Sequence, residues 1–321
     1  MNKLTKNFTL ALPFAGALLL SGCGTQDYTP TSDLPTIIVA DAITTHHLNL
    51  YVAYELGLFE SHGVNVVLNT LDTNAAARDL VAAGQADVFF SCPTIAIAAI
   101  ANGAPMRTIA QVKDPCTSVL YMAAGHGVTS FEDLAGLAIA GIGPACEAVL
   151  SLVLAARAEA GVEIDLQVMG GGPSIAALEA GQVAGALLEE PHASIAELAG
   201  FERVFEHLSA GVTCRTINAS NSIITAQPEA LIAFMAAIDE ANEIIMSNPV
   251  ADNIVEIAVL HTGAPEDAIR HGNHRLIFNS RLESDGLFYL ADALLQMEGN
   301  LIPENPFYDM FAEPFRGITW S

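Results

Sequence analysis

From Thr44 to Val66 the chain reads TTHHLNLYVAYELGLFESHGVNV, and the fold can be worked out from this segment. Apolar side chains recur at helical spacing between Leu48 and Phe59, and Gly63 stands where such a helix would end. Two threonines open the segment and are of the type that caps a helix N-terminus. The apolar run before it, Pro35–Ala40, predicts a short buried strand. The strand leads straight into the helix start, where open α/β sheets bind small ligands.

Strand and helix patterns alternate along the next part of the chain. Strands are predicted at 65–69, 88–91, 106–112, 137–142 and 164–169, most of them followed by a helical pattern. This alternation predicts parallel strands with their loops gathered at the carboxyl ends. A similar turn and strand occur at 83–91 and 180–189, which predicts two lobes of similar build. The tail after Pro228 is predicted to be helical and to pack on the first lobe.

Four segments resemble one protein family and stand in that family's order. They are VAYELGLFESHGVNV (52–66), LVAAGQADVFF (80–90), SFEDLAGLAIAG (130–141) and LEAGQVAGALLEEPHASIA (178–196). Together they resemble the solute-binding proteins of ABC importers for nitrate, sulfonates, taurine and thiamine precursors, the NMT1/THI5-like family. The resemblance implies an α/β, two-lobed type II periplasmic-binding-protein fold. Each lobe is then a mostly parallel sheet flanked by helices, and two crossover strands form the hinge.

The amino terminus has the pattern of a secretory leader. Lys3 and Lys6 precede an uncharged apolar run, which ends in Leu20-Ser21-Gly22-Cys23. LSGC looks like a bacterial lipobox with Cys23 as the lipidated residue, and a cleaved leader with an incidental cysteine is the alternative. We therefore expect a signal peptide at 1–22, a lipid-anchored linker at 23–35, lobe I at 36–118 and 220–321, and lobe II at 119–219. The expected location is the periplasmic face of a bacterial membrane.

The charge of the chain excludes some partners. The formal net charge is −24, and loss of Lys3 and Lys6 with the leader makes it −26. Such a chain repels nucleic acid and anionic membrane surfaces. A solubilising surface and attraction of a cationic ligand both account for this charge. The resemblance implies a small-molecule solute, an ABC permease and ATPase as partners, with a membrane contact through the lipid anchor alone and a monomeric chain.

The candidate ligand-binding residues follow predicted strands at or near the starts of helices. They are Thr44, Thr45, His46, Asn74, Ser91, Cys92, Thr94, Gly143, Cys146, Glu147, Gly172, Ser174 and Glu190. Arg78 and Arg215 are candidates for the arginine that holds an anion in some relatives. The acidic Glu147 favours instead a cationic or hydrogen-bonding heterocycle such as a thiamine precursor. A sulfonate, nitrate and a thiamine-precursor-like solute all remain open.

Two other functions are alternatives to solute binding. The superfamily contains a thiamine pyrimidine synthase that consumes pyridoxal phosphate and needs a lysine to hold it. Lys113 is predicted near a strand end, away from the matching first-helix region, so we expect no enzyme and no cofactor. His46-His47 with Glu147, Glu189, Glu190 and His192 offers metal-ligand types without paired spacing, so we expect no metal. A metal-binding or sensory lipoprotein using the same cleft is the third hypothesis.

Four cysteines follow Cys23, and several states are open to them. They allow three disulfide pairings, four buried thiols, or a cluster of soft ligands for a thiophilic metal. In the topology that the resemblance implies, Cys116 and Cys214 lie in neighbouring crossovers, and we predict a disulfide between them. Cys92 and Cys146 should face each other across the cleft.

Replacing the predicted lipidation site tests the location. Cys23→Ala should move the protein from the membrane fraction to the soluble periplasmic fraction, because no acyl chain would then hold it. Cell fractionation with immunoblotting measures this. Unmodified protein that is already soluble would contradict the lipoprotein prediction.

Overall fold

The computed structural model describes residues 33–113, 116–205, 208–209, 212–282, 284–297, 302–306 and 310–311. The predicted signal peptide and Cys23 lie outside these residues. Within the described ranges, no helix has both the length and the apolar character needed to cross a bilayer.

Ten strands form two five-stranded sheets in the described part of the chain. The first sheet contains β1 (Thr36–Ala42), β2 (Asn65–Leu71), β3 (Val88–Ser91), β4 (Met106–Lys113) and β10 (Arg215–Ser220). The second contains β5 (Val119–Met122), β6 (Ala138–Gly141), β7 (Asp165–Val168), β8 (Gly185–Leu188) and β9 (Glu202–Val204). The strand orders are β2-β1-β3-β10-β4 and β7-β6-β8-β5-β9.

The two sheets have the same arrangement. In the first, β1 pairs in parallel with β2 and β3, and β10 is antiparallel to both of its neighbours. In the second, β6 pairs in parallel with β7 and β8, and β5 is antiparallel to both of its neighbours. Each antiparallel strand is the first one after the chain crosses from the other lobe. The predicted two-lobed α/β fold with mostly parallel sheets is confirmed.

Helices flank both sheets. They are α1 (Leu48–Glu55), α2 (Leu58–Ser61), α3 (Asn74–Ala82), α4 (Pro93–Ala101), α5 (Glu147–Ala160), α6 (Gly171–Glu179), α7 (His192–Leu198), α8 (Asn221–Ala226), α9 (Pro228–Ser247), α10 (Asp252–Thr262), α11 (Glu266–Gly272) and α12 (Ser284–Gln296). The prediction of a single helix from Leu48 to Phe59 is wrong, because the structure divides this segment into α1 and α2. Gly57 adopts a left-handed conformation with φ of 67°, which ends one helix and starts the next.

The helical tail packs on the first lobe, as predicted. Helix α9 lies against α1 and α2, and its fully buried Phe234 stacks on Phe59 with ring centroids 5.0 Å apart. Helix α12 lies on the other side of the first sheet, against α4. The first sheet is therefore covered on both faces, as a mostly parallel sheet requires.

The two crossovers run side by side. The amide of Cys116 donates to the carbonyl of Val212, and the amide of Cys214 donates to the carbonyl of Lys113, both at 3.4 Å. Directly after this contact the chain enters β10 in the first sheet. The lobe boundaries at 118/119 and 219/220 stay a prediction, and the second one falls inside β10, before its last residue, Ser220.

A second contact between the lobes joins α7 to the segment around α11. Glu197 of α7 accepts hydrogen bonds from Arg275 and His271 on the tail and from Tyr121 of β5, and Arg203 of β9 lies 3.6 Å away. Partial burial alone would raise its pKa, but the bonds from Arg275, Tyr121 and His271 lower the pKa of Glu197 from 4.5 to about 2. The charged carboxylate is thus the form that this contact stabilises.

The stability of the protein should fall in acid partly through Glu197. Its pKa is lower in the folded chain, so its contribution is complete above about pH 5 and is lost as the pH falls towards 2. We expect Glu197→Gln to lower the free energy of unfolding by about 2 kcal/mol at pH 7, after allowance for solvent screening. Denaturant titrations at several pH values measure this, and the difference from the unmodified protein should shrink between about pH 5 and pH 3.

The matched control is Glu256→Gln, at an exposed position of α10. It should leave the stability within about 0.5 kcal/mol at each pH. A constant difference for Glu197→Gln across the acid range would contradict the assignment.

Candidate functional site

A cavity of about 510 Å³ lies between the carboxyl ends of the two sheets. Its wall includes residues that follow β1, β2 and β8 and the start of α6. The polar side chains on it include Thr44, Asn74, Glu189, Glu190, His192 and Arg215. Segments from both lobes therefore enclose one space, at the position where α/β sheets bind small molecules.

A buried ion-pair network crosses this cleft. Arg215 opens β10 in the first sheet, and its guanidinium donates to Glu147 at 2.6 Å and to Glu189 at 2.5 Å. Both acids belong to the second lobe: Glu147 begins α5, and Glu189 follows β8. The Arg215 and Glu147 side chains are 1% and 0% exposed. Because water does not reach them, each charge depends on its partners.

Glu147 lies at the N-terminus of helix α5. Glu147 lies in the first turn, where the partial positive charge of the helix N-terminus stabilises a carboxylate. Its Oε1 accepts from Arg215, whereas its buried Oε2 has no hydrogen-bond partner among the described residues. Glu147 lies behind the cavity wall and does not belong to the lining.

His46 is a neutral imidazole in this site. It is fully buried, with Nδ1 3.6 Å from Glu189 and 3.5 Å from the Cys214 sulfur. Burial, followed by the charges of Lys113 and Arg215, holds the pKa of His46 well below its ordinary value. The proton of the neutral ring is best placed on Nδ1, towards the Glu189 carboxylate, which leaves Nε2 as an acceptor.

Several other buried polar atoms at the cleft also have no partner in the described part of the chain. Besides His46 Nε2 and Glu147 Oε2, they are Thr45 Oγ1, Asn74 Oδ1 and Arg215 Nε. A buried polar atom without a hydrogen bond costs about 1–3 kcal/mol. Asn74 and Arg215 line the cavity, so their atoms would gain from a polar molecule bound there.

The loop after β1 is held by a hydrogen-bond network that the sequence did not reveal. Asp41 accepts from the Tyr51 hydroxyl at 2.6 Å and lies 2.5 Å from Nδ1 of His47. The Tyr51 hydroxyl also accepts from the amide of Thr44 at 3.2 Å. Because the side chains of Asp41, His47 and Tyr51 are all buried, this network fixes the turn that carries Thr44 and His46.

The candidate residues fall into three groups. Thr44, Asn74 and Glu190 lie on the cavity wall, and Glu190 also binds Arg275 at 2.9 Å and the amide of Ser194 at 3.2 Å. Thr94 joins the lobes, because its hydroxyl donates to the carbonyl of Ala145.

The remaining candidates lie behind the wall. Cys92, Cys146 and Glu147 come together with their ligand atoms within 4.8 Å of one another, and Thr45 and His46 are buried beside the cleft. Ser91 and Ser174 bond to carbonyl groups of their own turns, so neither is directed to a ligand in this structure. Gly143 lies in the turn before α5, and Gly172 lies in the first turn of α6. Neither glycine belongs to the cavity lining.

The predicted Cys116–Cys214 disulfide is wrong for this structure. All four described cysteines are free and buried. Cys116 contacts Ser118 at 3.4 Å, and both Cys116 and Cys214 approach Glu147, at 3.9 and 3.8 Å. The crossovers bring the two thiols together as expected, and a carboxylate beside them gives them polar partners.

The roles of several residues of the site are not evident from the sequence. The sequence pattern indicates Arg215 only as an anion ligand and Glu189 only as a metal ligand. Lys113 is fully buried, and its charge acts on both His46 and Cys214, so it lies closer to the site than predicted. Gly171 lets His192 approach the start of α6, since a Cβ there would overlap the imidazole.

The family profile described as NMT1/THI5 like matches residues 44–252. The curated 4-amino-5-hydroxymethyl-2-methylpyrimidine phosphate synthase of Uromyces fabae is 29% identical over 115 residues, which are 35% of this chain and 33% of that protein. The match thus spans about a third of the length of this curated relative.

Two solved structures have the same fold at low sequence identity. The periplasmic aliphatic sulphonate binding protein SsuA of Escherichia coli gives a TM-score of 0.76 at 16% identity, over 87% of this chain and 92% of that one. The alkanesulfonate-binding protein SsuA of Xanthomonas axonopodis pv. citri, bound to MOPS, gives 0.71 at 17% identity, over 85% and 96%. These likenesses show the periplasmic-binding-protein fold.

Removing the central cation should destabilise the protein strongly. Arg215→Leu leaves Glu147 as a buried charge without its partner, so we expect a loss of about 3–5 kcal/mol in the free energy of unfolding. Denaturant titration measures it. The control is Arg78→Leu, whose partner Asp79 is 66% exposed, and which should cost less than about 1 kcal/mol. Equal losses in the two variants would contradict the role assigned to Arg215.

Proposed function

The chain belongs to the NMT1/THI5-like family, and from this premise we propose that it is the extracytoplasmic solute-binding protein of an ABC importer. It captures a small molecule between its two lobes and delivers it to the permease. The observation that carries the proposal is the interlobe cavity, whose wall combines Thr44, Asn74 and Arg215 of the first lobe with Glu189, Glu190 and His192 of the second. A solute that bonds to side chains of both lobes stabilises their closed arrangement.

The chemistry of these atoms favours a solute rich in hydrogen-bond donors. On the cavity wall, Asn74 Oδ1 and the carboxylates of Glu189 and Glu190 can accept, whereas Arg215 Nε must donate. Two carboxylates flank the single guanidinium. An amino-substituted, neutral or cationic heterocycle, of the kind found in thiamine precursors, satisfies these groups. The cavity of about 510 Å³ is of a size suited to it.

A sulfonate is less well matched to the same atoms, although two relatives of this fold are sulfonate-binding proteins. Sulfonate oxygens only accept hydrogen bonds, so they would face the acceptors of Asn74, Glu189 and Glu190 on the cavity wall. Arg215 would be the natural anion ligand, but its guanidinium is bonded to Glu147 and Glu189. An anion would have to compete with both carboxylates.

The second candidate is an enzyme resembling the pyrimidine synthases, and the buried Lys113 beside His46 is the observation in its favour. That chemistry needs pyridoxal phosphate, whose phosphate group requires cationic or N–H partners. Glu189 and Glu190 lie on the cavity wall, and Lys113 lies outside its lining. These residues do not fit the cofactor, and we therefore retain solute binding.

The remaining parts of the proposal follow from the sequence. Lipidation of Cys23 would hold the chain on the periplasmic face of a membrane, and the linker after it would leave the lobes free to meet the permease and its ATPase. A monomer is sufficient, since the cleft is built by one chain.

A ligand screen tests the proposal and the solute class together. At a concentration one hundred times its dissociation constant, a solute adds about 2.7 kcal/mol to the free energy of unfolding. We expect aminopyrimidines to raise the melting temperature and short alkanesulfonates to leave it unchanged. Thermal shift measures both, and isothermal titration calorimetry gives the affinity of the hits.

Asn74→Ala should weaken a hit about fivefold, because it removes one acceptor worth about 1 kcal/mol from the cavity wall. Asn69→Ala, at an exposed position of β2, is the matched control and should bind normally. Stabilisation by sulfonates alone would overturn the solute class. Hits that bind equally well to both asparagine variants would contradict the cleft as their site.

A further inference from the structure

Four thiols meet at the junction of the two lobes. Cys92 precedes α4 in the first lobe, Cys146 precedes α5 in the second, and Cys116 and Cys214 lie in the two crossovers. Their exposed fractions lie between 0% and 7%. Residues separated by more than a hundred positions thus place sulfur atoms around one carboxylate, that of Glu147.

The distances suit coordination of a metal ion. The sulfurs of Cys92 and Cys146 and an oxygen of Glu147 lie within 4.8 Å of one another, and so do the sulfurs of Cys116 and Cys214 with Glu147. Two sulfurs bound to one zinc ion at about 2.3 Å, with tetrahedral angles, lie about 3.8 Å apart. Small side-chain movements would therefore bring either group to bonding distance.

The surroundings differ from those of an ordinary core thiol. Buried cysteines commonly serve as small apolar groups. Here the Cys214 sulfur lies 3.5 Å from Nδ1 of His46 and 3.6 Å from the Arg215 guanidinium. The buried Oε2 of Glu147 has no hydrogen-bond partner in the described ranges. Thiolate, imidazole and carboxylate together are the ligand set of zinc and of softer cations.

We propose that this cluster, Cys92, Cys116, Cys146 and Cys214 around Glu147, binds a thiophilic cation of the Zn²⁺ or Cu⁺ class. The proposal goes beyond solute capture and does not require that the cation be the transported solute.

The charges at the site are compatible with the cation. A divalent ion with two thiolates is neutral, so the pairing of Arg215 with Glu147 and Glu189 can persist beside it. Arg215 would then balance the charge of the carboxylates while the sulfurs hold the metal.

The origin of the ligands gives the site a mechanical effect. Cys92 belongs to the first lobe, whereas Cys146 and Glu147 belong to the second, so a cation bound by them connects the lobes. The crossover thiols lie at the hinge and can keep their contact when the lobes separate. Metal binding should therefore stabilise the closed arrangement and the hinge together.

The test uses Cd²⁺ as a probe with the reduced full chain carrying Cys23→Ser, so that only the four cluster thiols are present. Thiolate-bound cadmium absorbs in the ultraviolet, and the band should grow to at least one equivalent per chain. X-ray absorption at the cadmium edge should find two or more sulfur neighbours. Zn²⁺ should raise the melting temperature. A reduced, folded protein without the band, or cadmium with oxygen and nitrogen neighbours alone, would overturn the proposal.

Variants assign the ligands. Cys116→Ser with Cys214→Ser, and Cys92→Ser with Cys146→Ser, should each weaken cadmium binding at least tenfold. His62→Gln alters an imidazole–carboxylate pair remote from the cluster and should bind cadmium normally. Loss of binding in His62→Gln, or normal binding in the variant lacking all four thiols, would place the metal elsewhere. If the cysteine variants do not fold, the absorption band and sulfur count of the parent protein still decide.

Discussion

The cleft depends on one buried cation. Arg215 stands at the start of the strand that returns to the first sheet, and both of its carboxylate partners belong to the second lobe. Because Arg215 and Glu147 are almost completely buried, neither charge can lose its partner without a large cost in free energy. The lobes are therefore held at a defined separation by electrostatics as well as by the covalent crossovers. Any solute that enters meets charges whose positions are already set.

The same pairing explains the chemical character of the cavity. Among the described residues, one oxygen of Glu147 is bonded to Arg215 and the other has no hydrogen-bond partner, while burial and nearby cations keep His46 neutral. The guanidinium is thus occupied and the carboxylates of Glu189 and Glu190 lie on the cavity wall, although an arginine in such a cleft would by itself indicate an anion site. Two relatives with this fold bind sulfonates, yet similarity of fold does not determine which groups remain available in the site.

Much of the fold could be predicted because its signals are local. The turns around Gly84 and Gly181 and the apolar runs after them identify parallel strands at almost their observed bounds. The site was harder to predict. Asn74 and Glu147 could be found because they follow strands, but the partners of Arg215 depend on which lobe each strand joins. Tyr51 reads as one more apolar position of a helix, and its hydroxyl is part of a network with Asp41 that no spacing indicates. Proximity of Cys116 and Cys214 followed from topology, whereas their free state did not.

The position of β10 between β3 and β4 has a consequence for the folding of the chain during its synthesis. In the described part of the first sheet, β10 joins β3 to β4, and it is more than a hundred residues further along the chain. Until that strand has been synthesised or translocated, both of them present an unpaired edge, which is a template for association with other chains. The second sheet has all its strands by residue 204 and can form first. The chain is thus expected to fold from its middle outwards, with the amino-terminal lobe completed after the lobe that follows it.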